Sequence, residues 1–201
     1  MKMKMSEYRD RYMGRAAAVL GGGPSLVNDL ARLPEGCVLI AVNYHAQRFC
    51  QPDFVVYNDH PESDPLLAEM VRNIKAVKIS PEPSSDIEFD AAVWTGFYSS
   101  NTAAWFALWC GCDPVILCGM DCYQGEVKYP HEYQDKPHFH YGLDFHIRPW
   151  IEEGRNLLPH VERLRAMSGP LGEVFGYFEE KGRREGYSER HSVAVSLRET
   201  V

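Results

Sequence analysis

No apolar run in this 201-residue chain approaches the roughly 20 residues that a helix needs to cross a bilayer. The opening stretch, MKMKMSEYRDRYMGR, carries charge but no apolar h-region of a signal peptide, so a secretory leader is not expected and a cytoplasmic location is. A basic excess is also missing. Lys and Arg number 21 against 28 Asp and Glu, a formal net charge of −7, the wrong sign for a surface that grips nucleic acid. The six cysteines form no paired C-x₂-C clusters of the zinc-ribbon kind; Cys110-x-Cys112 and Cys118-x₃-Cys122 have other spacings. They lie in or beside apolar runs and read as buried, reduced thiols. Neither G-x-G-x-x-G nor a Walker loop occurs, which lowers the expectation of NAD or ATP held in those ways. No internal repeat, low-complexity tract or linker divides the chain, so residues 1–201 read as one domain of ordinary globular composition.

What is present is a series of short apolar runs, each ending in turn-forming or polar residues. Ala16 to Leu20 stops at Gly21-Gly22-Gly23-Pro24-Ser25, and apolar residues at helical spacing follow from Leu26 to Leu33. Strand, glycine turn and helix in this order open a nucleotide-binding βαβ unit, because bare backbone N–H groups can approach phosphate oxygens at a helix N-terminus. Cys37 to Val42 is a second strand and ends at Asn43; Phe54 to Tyr57 is a third and ends at Asn58-Asp59. An amide side chain at a strand end can donate to a phosphate or ribose oxygen and accept from a base. Pro65 to Asn73 predicts a helix and Ala76 to Ser80 a fourth strand, followed by the acidic loop Pro81 to Asp90.

The centre of the chain is residues 95–129. A helix is predicted from about Ser99 to Cys110, and the strand Val115 to Cys118 reads as covered on both faces. It ends at Gly119-Met120-Asp121, with Tyr123 and Tyr129 beyond. Ligands of open α/β sheets sit outside the carboxyl ends of the strands, which makes these residues candidates for a site.

Pro130 to Trp150 is polar and aromatic and holds four of the eight histidines: His131, His138, His140 and His146. A loop of this length over strand ends predicts a lid that orders on ligand binding. Its histidines suit acid–base work, and with Asp144 the alternative of a bound metal stays open. A helix is expected from Glu152 to Met167, a strand over Val174 to Phe178, and a last strand over Val193 to Leu197.

GGGPSL at 21–26, VN at 42–43, VVYND at 55–59 and YSSNTAAWFALWCGCDPVILCGMDCY at 98–123 together resemble a known family. They are similar to the bacterial lipooligosaccharide sialyltransferases, and to the wider group of glycosyltransferases and archaeal hydroxymethylpterin diphosphokinases that share their Rossmann-like fold. The resemblance covers about residues 16–129 and implies a single α/β domain, a mainly parallel sheet flanked by helices, and a lid loop at about 130–150. It implies a nucleotide-sugar donor, with CMP as the candidate nucleotide, and a glycan or other hydroxyl acceptor. Gly21, Gly22, Gly23 and Ser25 would form the phosphate loop, Asn43 and Asn58 would surround the nucleotide, and Ser99, Ser100 and Asp121 would line the donor site. Tyr123 and Tyr129 would bond the departing phosphate, with His146 as first candidate and His140 as second for the base that deprotonates the acceptor. No metal is required in that mechanism. The diphosphokinase alternative needs Mg²⁺, for which Asp59 and Asp121 would be the carboxylates. A non-catalytic nucleotide-binding module is the third reading. The chain departs from the family at Gly22, where asparagine is usual, at Gly96, where the sialyltransferases have arginine, and in a shorter lid. Donor sugar, acceptor and oligomeric state are left open.

Overall fold

The computed structural model describes residues 2–88, 98–122 and 158–179. In chain order the elements are β1 (Met3–Lys4), β2 (Ala17–Leu20), α1 (Leu26–Leu30), β3 (Val38–Val42), β4 (Phe54–Val56), α2 (Pro65–Asn73) and β5 (Val77–Ile79). There follow β6 (Ile87–Glu88), α3 (Ser99–Trp109), β7 (Val115–Cys118), β8 (Leu164–Ala166) and α4 (Leu171–Phe175). Six strands make one parallel sheet in the order β5-β4-β3-β2-β7-β8, while β1 and β6 pair separately. The chain builds outward from β2 to β5 on one side, then returns to add β7 and β8 on the other. The topological switch point therefore lies between β2 and β7.

Side chains alternate across each strand, so a run apolar at every position requires cover on both faces. On one face Ala17, Val19, Ile40, Phe54, Val56, Val115 and Leu117 pack under α3 and α4. On the other, Ala18, Leu20, Ala41, Val55, Ile116 and Cys118 pack under α1 and α2. The α2 helix begins where Asp64 accepts a hydrogen bond from the Leu66 N–H at 3.0 Å and Pro65 takes the first turn, where its missing N–H costs nothing. α3 is apolar almost all round, as expected of a helix buried between the sheet and the chain above it. That chain is the N-terminal segment: Met5 and Tyr8 enter the core, with the Tyr8 and Phe106 rings 5.7 Å and 5.1 Å from Phe54.

Three sequence expectations change. Residues 6–13, SEYRDRYM, whose pattern predicts a short amphipathic helix, instead form a 3₁₀ turn, Met5–Tyr8, followed by turns. The helix expected to run to Met167 is, in its described part, a 3₁₀ segment, Leu158–Arg163, that leads into β8. The strand expected over Val174 to Phe178 is the end of α4, after which Tyr177 bridges to Ala166. Gly176, at φ +82, makes this reversal and its carbonyl accepts from the Ala166 N–H at 2.9 Å. The strand expected at Val193 to Leu197 lies outside the described residues.

All six cysteines are free thiols, as their positions in apolar runs suggest. Burial pushes Cys112 from the ordinary 9.0 up to about 11 and Cys122 up to about 12, and raises Cys110 and Cys118 as well. The native chain thus keeps protons that the unfolded chain releases above pH 9. Stability from these groups is whole below pH 9 and is lost as pH rises through about 11 and 12, by an order of 1 kcal/mol per pH unit for each thiol. Urea midpoints should therefore be flat between pH 7 and 8.5 and fall steeply by pH 10.5. Replacing Cys112 with Ala should flatten part of that fall.

Candidate functional site

Four neighbouring strands, β4, β3, β2 and β7, end side by side and deliver Asn58, Asn43, the glycine loop and Gly119-Met120-Asp121 to one rim of the sheet. The glycine loop is held on the β7 side by backbone: Gly21 N–H donates to the Cys118 carbonyl at 2.8 Å and Gly23 N–H to the Gly119 carbonyl at 2.7 Å. Each loop glycine is bare for a different reason. A Cβ on Gly21 would stand 2.5 Å from the Gly119 oxygen, one on Gly22 would meet the His45 ring at 2.6 Å, and one on Gly23 would strike the Asp121 carboxylate.

Asp121 closes the switch point. Its Oδ2 accepts from the Ser25 N–H at 3.1 Å and from the Ser25 hydroxyl at 2.9 Å, so the carboxylate that caps α1 comes from the neighbouring strand. Beneath it lies Asp29, on the inward face of α1 with Leu26 and 1 % exposed. Asp29 Oδ2 accepts from the Gly119 N–H at 2.9 Å and, at 3.1 Å, shares the single Ser25 hydroxyl proton with Asp121. The Ser168 hydroxyl reaches both of its oxygens, at 2.7 and 2.8 Å. One buried carboxylate therefore ties α1, the end of β7 and the turn after β8.

Asn43 turns the chain in the left-handed region, φ +54, a conformation that asparagine tolerates, and its N–H donates to the Val56 carbonyl at 2.9 Å. The Asn58 N–H donates to the Ser99 hydroxyl at 2.9 Å, and its side-chain amide donates to the Thr102 hydroxyl at 3.2 Å. These bonds fix the start of α3 against the end of β4. They leave two buried acceptors, Asn43 Oδ1 and Asn58 Oδ1, with no hydrogen-bond partner among the described residues. Buried carbonyl oxygens are ordinarily paired, and leaving one unmatched costs about 1–3 kcal/mol. A ligand that brings N–H or O–H donors to this rim removes that cost.

Of the residues singled out in the sequence, Gly21, Gly22, Gly23, Ser25, Asn43, Asn58, Ser99 and Asp121 meet at the strand ends, with Ser100 beside Ser99 on the first turn of α3. Asp59 is exposed and follows β4, which β3 and β2 separate from β7. Among the described residues no group of three His, Cys, Asp or Glu is arranged to hold a metal ion. Tyr123, Tyr129, His140, His146 and the lid at 130–150 lie outside the described residues. Sequence reasoning missed Asp29, His45, Thr102 and Ser168. For Asp29 a signal existed: a carboxylate three residues after Leu26, on the apolar stripe of a predicted helix.

No family model matches the chain, and no curated protein matches it. Solved structures do. The sialyltransferase CstII from Campylobacter jejuni, in complex with cytidine-5'-monophosphate, superposes with a TM-score of 0.59 at 14% identity, over 90% of this chain and 97% of that one. The monofunctional alpha-2,3-sialyltransferase Cst-I from the same organism gives 0.58 at 14% identity, over 93% and 94%. The MAf glycosyltransferase from Magnetospirillum magneticum AMB-1 gives 0.51 at 14% identity, over 98% of this chain and 41% of its own. The chain has the Rossmann-like α/β fold of these glycosyltransferases.

Asp29 should dominate local stability. Asp29→Ala strands the buried Gly119 N–H and takes the Ser168 hydroxyl's acceptor away, while the Ser25 hydroxyl keeps Asp121; it should cost about 3 kcal/mol, whereas Asp29→Asn, which keeps one acceptor oxygen, should cost about half of that. Urea denaturation of both variants checks the ranking.

Proposed function

We propose that this protein transfers a sugar from a nucleotide-activated donor, with a CMP-linked sugar as the first choice, to a hydroxyl acceptor. The observation that carries the reading is the pair of unmatched acceptors, Asn43 Oδ1 and Asn58 Oδ1, on adjacent strand ends beside the first turn of α3. Ribose hydroxyls and the amino group of a cytosine are donors of the kind these oxygens require. Both Ser25 donors are engaged by Asp121, so in this reading the phosphate lies at the start of α3. There Ser99 and Ser100 begin an 11-residue helix whose first N–H groups favour an anion. Support also comes from the fold, shared with a sialyltransferase whose structure holds cytidine-5'-monophosphate.

The chemistry has two needs. The departing phosphate needs donors that act on charge as it develops, a task assigned to the hydroxyls of Tyr123 and Tyr129 together with the N–H groups of α3. The acceptor hydroxyl needs a base with a pKa near neutrality, and His146, with His140 next, is that group in the lid. No metal is needed for either step.

The first test is a thermal-shift panel of CMP, CDP, UMP, UDP, GDP and ATP with and without Mg²⁺. CMP at about 100 times its Kd should stabilise by roughly 2.7 kcal/mol without metal. Asn43→Ala and Asn58→Ala should each weaken CMP by about 1–3 kcal/mol while the fold persists; unchanged binding in both moves the site elsewhere. A shift that appears only with ATP and Mg²⁺ favours pyrophosphate transfer instead.

Turnover separates the remaining roles. His146→Ala should abolish transfer and leave CMP affinity largely intact, and Tyr→Phe at 123 or 129 should lower kcat more than donor affinity. Full activity in both His146→Ala and His140→Ala overturns the mechanism.

A further inference from the structure

The glycine loop is gripped from both sides, and only one grip is backbone. Hydrogen bonds to Cys118 and Gly119 hold Gly21 and Gly23 to the end of β7. On the β3 side the neighbour is a ring. A Cβ on Gly22 would lie 2.6 Å from both Cγ and Cδ2 of His45 and 3.1 Å from its Nδ1, closer than any real methyl sits to an imidazole. The ring has little room to retreat. His45 is 7 % exposed, the Tyr44 ring stands 4.3 Å from it, and Ala46 behind it is fully buried. His45 also follows Asn43 by two residues, so the left-handed turn at Asn43 sets both the unmatched acceptor and the imidazole.

We propose that His45 is a positioning residue of the donor site: the bare Cα of Gly22 accommodates this imidazole, and the ring holds the glycine loop against the end of β3. The proposal rests on the nucleotide reading above and adds to it a specific pair, Gly22 with His45. A methyl at position 22 pushes the ring away and displaces the Asn43 turn with it. Loss of the ring frees the middle of the loop, since the Gly21 and Gly23 N–H groups are fastened on the β7 side. Shape is what matters in this role, so another flat ring serves.

The test is a double-mutant cycle read by calorimetric titration of CMP, with melting followed in parallel. Gly22→Ala and His45→Ala should each weaken CMP by about tenfold, and the double variant should bind no more weakly than the worse single one, because the added methyl then occupies the vacated space. His45→Phe should bind within about threefold of wild type. Three outcomes overturn the proposal: His45→Ala that binds like wild type, single losses that multiply in the double variant, or His45→Phe as weak as His45→Ala. Wild-type protein that binds no nucleotide of the panel overturns the nucleotide reading and this role with it. Wild-type binding with an indifferent His45→Ala overturns this role alone.

Discussion

A carboxylate taken out of water must have its oxygens matched, or it costs several kcal/mol. Asp29 meets that demand with donors from three separated parts of the chain: Ser25 at the head of its own helix, the Gly119 backbone after β7, and Ser168 after β8. These lie 4, 90 and 139 residues from it. The group is thus satisfied only when both halves of the sheet are in place. The fold's two windings, outward from β2 and back through β7, are joined at the rim by one side chain, and the glycine loop is positioned from that joint.

Asp121 works one level above. By supplying α1 with a carboxylate, it uses donors that a ligand phosphate would otherwise meet at a short helix. The polar capacity left at the rim is therefore asymmetric. On the β7 side donors and acceptors are consumed internally, while toward β3 and β4 two amide oxygens remain unmatched. In the proposed function, a rim with this polarity would select a ligand by what it donates at one end and by its negative charge toward the start of α3.

The strands from β2 to β5 and β7 were legible because each is a short apolar run closed by turn residues, and α2 and β7 have the predicted bounds. Asn43 and Asn58 were legible as strand ends, whereas Ser99, at the start of α3, was placed beside them only by the family resemblance. β8 was not legible: Leu164-Arg165-Ala166 is too short for an alternation to register, and leucines and valine before it imitate a helical stripe. The Gly22–His45 contact was hidden for a different reason. It depends on β2 and β3 being neighbours in register, which no local pattern carries. A triple glycine suggests a ligand at close range, and here the close neighbours are a ring, a carboxylate and a carbonyl of the same chain.

The two outer strands bear on how copies of this chain can meet. At β8, the Ala166 N–H and carbonyl are taken by Gly176 and Phe178, at 2.9 and 2.8 Å. At β5, the Lys78 carbonyl accepts from the Asp86 N–H at 2.9 Å, and the Lys78 N–H donates to the Asp86 carboxylate at 2.9 Å. A strand from another molecule finds these outward-facing groups already engaged at both margins. Among the described residues, short returns of the same polypeptide thus occupy the groups through which a strand of another copy would extend the sheet at these two positions.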